Sequence, residues 1–166
     1  DERQGCKCMM LILHSPNVHQ GGGARLLTAL MMANVVEAPR LVAVDERFAM
    51  PVQLPGDVIV ERVPPTLAGR LRAEWRLRTI ATAGDVVLCL GNLPPLFRLG
   101  AQTILFLQNR LLLKSLPLQG FRLLVRMRII SERLWLRTRL ANVQRILVQP
   151  AAATGARIRQ FSRITA

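Results

Sequence analysis

The residues most able to do chemistry gather around three consecutive glycines, Gly21, Gly22 and Gly23. They follow a short apolar run and precede a stretch with helical spacing. Glycines there let backbone N–H groups approach a phosphate or sugar closely, and the positive end of a following helix favours negative charge. A turn that merely reverses the chain is the competing reading. The spacing is not the dinucleotide fingerprint G-x-G-x-x-G, and no Gly-Lys-Ser/Thr follows, so it is not a P-loop either. His14 and His19 flank the same loop. A histidine in this place is suited to general-base work on an acceptor hydroxyl, because its pKa lies near working pH; a hydrogen-bonded loop histidine is the plainer reading of each. Asp45 stands where a ribose-binding acid would sit, but without the fingerprint it reads as a solvated strand end. Cys6-x-Cys8 lacks metal or redox spacing, and Cys89 makes the cysteine count odd, so no metal site is expected and a reduced, cytoplasmic setting is.

Further along, Asn92, Gln108, Asn109 and Arg110 fall at the ends of apolar runs, among glycines and prolines, where they are candidates to line a ligand crevice with the two histidines. The last feature is a basic stripe. Arg122, Arg126, Arg133 and Arg137 fall within roughly 60° of one another on a helix, with Leu123, Leu124, Met127, Ile130, Leu134 and Trp135 around much of the rest. Such a helix suits an anionic membrane surface. Equally, it suits a core helix with a solvated arginine face.

The elements that must position these residues are short strands alternating with helices. Strands are predicted at 9–13, 41–44, 57–60, 85–90, 103–107 and 145–149, and helices at 24–34, 65–81 and 121–140. In the second helix Leu67, Leu71, Trp75 and Ile80 fall close to one face. This alternation predicts an α/β, Rossmann-like, doubly wound parallel sheet. Ligands of such sheets bind outside the carboxyl ends of the strands, where the candidates lie. Residues 1–8 read as a polar extension, 9–149 as the domain, and 150–166 as an irregular tail.

The bulk properties agree with one domain. Hydrophobic residues make up 51% of the 166, which excludes a disordered chain. Aromatics are 4% and Tyr is absent, which argues against a base-stacking nucleic-acid platform. The net charge of +13 calls for an anionic partner, and the excess is uneven. From Arg110 to Arg145 there are nine Lys/Arg against Glu132 alone. No apolar run reaches the ~18 residues of a membrane span, and Met9–Leu13 is shorter than the ~7–15-residue core of a signal peptide.

With Leu11–Gly23, Gly84–Pro95, Thr103–Arg110 and Arg145–Gln149 in view, the chain resembles the amino-terminal domain of GT-B fold glycosyltransferases, in particular the retaining family 4 or group 1 type. The resemblance spans about residues 9–149 and rests on the order of these segments. It implies the acceptor-side half of an enzyme that moves a sugar from a nucleotide-sugar co-substrate to a saccharide or lipid-linked acceptor, with retention and without a metal or other cofactor. It places Gly21–Gly23 against the donor phosphates and sugar, and Gln108 and Asn109 on the catalytic cleft, where many relatives carry a histidine. It also implies a donor-binding domain with paired glutamates, which has no counterpart in 150–166. The expectation is therefore a truncated chain, inactive alone, belonging to cell-envelope polysaccharide biosynthesis at the inner face of a membrane. Two other readings stay open: a stand-alone Rossmann-like nucleotide-binding module, and a peripheral membrane protein using the arginine helix.

Overall fold

Each predicted strand and helix is present in the structure, a computed structural model that describes residues 9–33, 40–54, 58–109, 112, 120–148 and 159–162. The strands are β1 (Leu11–Ser15), β2 (Arg40–Asp45), β3 (Val58–Val63), β4 (Val86–Cys89), β5 (Gln102–Leu107) and β6 (Arg145–Val148), with a seventh, β7 (Arg159–Ser162). They form one sheet in the order β3-β2-β1-β4-β5-β6-β7. β1 to β6 run parallel and β7 pairs antiparallel with β6. The reading of 150–166 as an irregular tail leaves β7 out. Its four residues, two of them Arg and Gln, are too short and too polar to carry a strand signal of their own. Residues 1–8, with Cys6 and Cys8, lie outside the described residues, as does Arg110.

Side chains alternate across the sheet with the strand period of two. Leu13, Val42, Val44 and Phe106 face helix α1 (Gly21–Met32), which buries Leu27 and Met31 against them. Ile12, Leu41, Val87, Cys89, Leu105 and Leu107 face the other way. There they meet α2 (Leu67–Ile80) through Leu77, and α3 (Leu123–Arg139) through Ile129 and Leu136. Helices on both faces of a parallel sheet make the α/β, Rossmann-like, doubly wound fold.

The chain swings from one side of β1 to the other when it crosses from β3 through α2 to β4. The carboxyl ends of β1 and β4 therefore flank a topological switch point, the usual ligand crevice of such sheets.

Two details differ from the sequence reading. The helix after β1 starts three residues earlier than predicted, so Gly21–Gly23 are its first turn. Gly21 enters it at φ +74°, a conformation open to glycine. In α2 the aligned Leu67, Leu71 and Trp75 point outward, and Gly69, Ala73, Glu74 and Leu77 are buried. Ala73 packs on Ala43 and Val63 of the sheet, Gly69 lies against the preceding loop, where a Cβ would stand 2.7 Å from the Pro64 carbonyl, and Glu74 is drawn inward by His14. No helix among the described residues is long and apolar enough to cross a membrane.

Candidate functional site

Four segments meet at the switch point. The loop after β1 brings Asn17, Val18 and Gln20; the first turn of α1 brings Gly23; the turn after β4 brings Gly91 and Asn92; the end of β5 brings Gln108 and Asn109. With Arg128 and Glu132 of α3 they enclose a polar crevice of about 150 Å³. Three local devices hold it. Asn92 adopts the left-handed conformation, φ +70°, which Asn tolerates better than most residues. From there its Oδ1 accepts hydrogen bonds from the backbone N–H groups of Gln108 (2.6 Å) and Asn109 (2.8 Å), tying the ends of β4 and β5 together. Asn17 Nδ2 donates to the Gly91 carbonyl (3.2 Å), tying β1 to β4. Gly91 sits at φ +108° with its Cα against the Asn17 amide, leaving no room for a Cβ. Gly23 is in similar contact, since a Cβ there would lie 3.1 Å from Gln108 Oε1 and 3.2 Å from Val18 Cγ1. At the rim Arg128 Nε donates to Glu132 Oε1 (2.8 Å), a pair one helical turn apart.

A second crevice, of about 220 Å³, opens beside the first, and Asn17 lines both. It runs between Pro16, Asp45, Arg47, Pro64, Thr66 and Arg70. Asp45 is buried, not a solvated strand end. Its Oδ1 accepts from the backbone N–H and Nε of Arg47, and its Oδ2 from Arg47 Nη2 at 2.7 Å. The Arg47 side-chain bonds hold the Asp45 carboxyl below its usual range against the upward pull of desolvation. Both carboxylate oxygens are thus engaged by the protein, and a ribose-binding role at this position would have to displace Arg47. At the crevice's far end Thr66 Oγ1 caps α2 by accepting from the Gly69 N–H (3.0 Å).

The two histidines part company. His14 does not line the cleft: it points into the core on the α2 face of β1, with its Nε2 3.1 Å from Glu74 Oε1. Position 14 lies one residue out of phase with the crevice-facing loop, and the strand period carries it inward. Glu74 Oε2 accepts from the Leu96 N–H at 2.8 Å. Burial pushes the Glu74 carboxyl up, but the bonds from His14 and Leu96 and the electrostatic attraction of the His14 and Arg70 side chains outweigh it, and the net shift is downward. Arg70 is itself largely desolvated, which lowers its pKa against the opposing charges of Glu74 and Glu132. Its guanidinium lies 5.0 Å over the Trp135 ring of α3, whose Nε1 donates to the Pro94 carbonyl (3.0 Å). This buried network locks α2, α3 and the 94–96 turn to β1. His19 is partly buried in the loop between β1 and α1, its Nδ1 3.9 Å from Asp45 Oδ2, and does not line the polar crevice.

Compared with known protein families, curated proteins and solved structures, the chain finds no match. The site therefore rests on its own geometry. Of the residues singled out in the sequence, Gly23, Asn92, Gln108 and Asn109 converge on one crevice, while Gly21 and Gly22 form the exposed first turn beside it. Sequence reasoning includes Asn17 and Gly91 only within the strand-end segments 14–23 and 91–95, and it misses Arg128, Glu132 and the Asp45–Arg47 and His14–Glu74 pairs. A signal existed for Arg128 and Glu132, an i, i+4 pair of opposite charge. None existed for His14–Glu74, which joins residues 60 positions apart. Cys89 is a buried thiol whose pKa burial pushes up, and no cluster of potential metal ligands occurs among the described residues.

Proposed function

We propose that this chain is the amino-terminal, acceptor-side domain of a GT-B fold glycosyltransferase, an enzyme passing sugar from a nucleotide-sugar to a saccharide or lipid-linked acceptor. The observation that carries the reading is the polar crevice at the carboxyl ends of β1, β4 and β5. It joins the α1 glycine turn to Asn92, Gln108 and Asn109. Its lining consists mainly of amides and close-approach glycines, with one ion pair at the rim. That is the chemistry of binding hydroxyls and phosphates, not of attacking them. In this reading Gly21–Gly23 take the donor phosphates at the helix start, and Asn17, Asn92, Gln108 and Asn109 orient sugar hydroxyls. The neighbouring crevice, lined by Asp45, Arg47 and Arg70, receives the acceptor. A second domain, carrying the paired glutamates the resemblance implies, supplies most of the nucleotide contacts and the transfer step, with retention and no metal.

Amide chemical shifts of the labelled chain, titrated with UDP-glucose, GDP-mannose and ADP-glucose and separately with NAD, test this. The expected result is weak, millimolar-range perturbation by at least one nucleotide sugar at Gly21–Gly23, Asn92, Gln108 and Asn109. Perturbation of the same amides by NAD, and by no nucleotide sugar, refutes it in favour of a stand-alone nucleotide-binding module.

A further inference from the structure

Helix α3 turns its apolar side the wrong way for a core helix. Only Ile129 and Leu136 are buried. Leu123 is 71% exposed, Leu124 84%, Met127 60% and Leu134 62%, and Ile130 lies between them, also exposed. At about 100° per residue these five form one continuous outward stripe. Arginines border it on both sides. Arg126, Arg133 and Arg137 lie along one edge, and Arg128 and Arg139 along the other. On the same side of the sheet α2 exposes Leu71 and Trp75. Ile129 and Leu136 of this helix do pack into the core, but the solvated side is not arginine alone. The outward face is the apolar one, and the arginines edge it.

We propose that this face of α3 lies on the surface of an anionic lipid bilayer. An apolar stripe between two cationic edges is the pattern of a helix in the interfacial plane. Its leucines enter the headgroup boundary, and the long arginines reach lipid phosphates on either side. Charge complementarity selects this occupant. Nucleic acid would satisfy the arginines but leave five apolar side chains against a phosphate backbone. A second copy packed across a two-fold axis would cover the leucines but bring arginine edges together, where like charges repel. The proposal is independent of the sugar-transfer reading and stands or falls without it.

Co-sedimentation of the full 166-residue chain with phosphatidylcholine vesicles, with and without phosphatidylglycerol, provides the test. Binding is expected to the mixed vesicles alone and to weaken with salt. Neutralising Arg126 and Arg137 together, as Arg126→Gln/Arg137→Gln, lowers partitioning by about 25-fold, roughly five-fold for each charge near the surface. Leu124→Gln/Met127→Gln lowers it as well. All four side chains are exposed, so circular dichroism should show an unchanged fold for both variants. Equal binding to neutral vesicles, or variants that partition like the parent, overturns the proposal. So does a vesicle-free dimer that Leu124→Gln/Met127→Gln dissolves, which would make the stripe a contact between copies.

Discussion

Replacing Glu74 by alanine removes the acceptor at the centre of the buried network. The carboxylate accepts from His14 Nε2 and from the Leu96 N–H, and its charge acts on the desolvated Arg70 guanidinium. Glu74→Ala leaves both donors without their acceptor and removes the negative charge that acts most strongly on Arg70. Removing a buried, hydrogen-bonded carboxylate from such a network costs about 3–5 kcal/mol, a fall of roughly 6–20 °C in Tm for a domain of this size. Glu74→Gln keeps the volume and one acceptor oxygen, so it should cost less, roughly 1–3 kcal/mol. The linkage has a definite sign. The folded-state pKa of Glu74 lies below its unfolded value, so its contribution is fully present above the ordinary carboxylate range and is lost as pH falls through the folded value. Urea unfolding followed by far-UV circular dichroism, across the range from neutral to acid pH, measures both effects. The gap between parent and Glu74→Ala should be widest at neutral pH and narrow on acidification. A loss under about 1 kcal/mol at neutral pH, or a gap that does not change with pH, would show that Glu74 is not the charged anchor of α2.

Asn92→Ala removes the shared acceptor of the Gln108 and Asn109 N–H groups and puts alanine at φ +70°, which should cost roughly 2–4 kcal/mol in urea unfolding. Asn92→Gly keeps the φ and should cost less; equal losses would count against the backbone part of this account. Gly91→Ala forces a Cβ against the Asn17 amide at φ +108° and should cost about 1–3 kcal/mol, with shifted Asn17 side-chain resonances as the local sign. Unmoved Asn17 signals would exclude that contact. In a Cys6→Ser/Cys8→Ser background, Cys89 should react with a thiol reagent only as fast as the chain opens, because it is fully buried and its thiolate is disfavoured. Labelling of the native protein at a free-thiol rate would contradict that burial.

The strands were legible because buried parallel strands are short continuous apolar runs, and β4 (Val86–Cys89) and β5 (Gln102–Leu107) are nearly ideal cases. The crevice was half legible for the same reason: once the strand ends are known, Asn92, Gln108 and Asn109 are placed. What failed was orientation. In α2 the apolar residues that line up are the exposed ones, because the inward face uses Gly69, Ala73 and a carboxylate whose partner lies far away in sequence. His14 was misplaced by the same blindness to long-range pairing. It sits next to a crevice loop in sequence, and one residue of strand register turns it into the core.

Helix α1 begins on its weakest turn. Glycine is disfavoured in helices by about 1 kcal/mol relative to alanine, and here three occupy the first turn, with no side-chain cap from Gln20 and no acidic residue in that turn. Nothing lies within 4 Å of where a Cβ of Gly21 or Gly22 would stand. Gly21 and Gly22 have little in the folded chain to hold them, so their amides should exchange hydrogen for deuterium much faster than those of Leu27 or Met31. In the proposed sugar-transfer reading, a donor phosphate accepting from those N–H groups would order the turn as it binds, so that capture of the anion and completion of the helix would become one event.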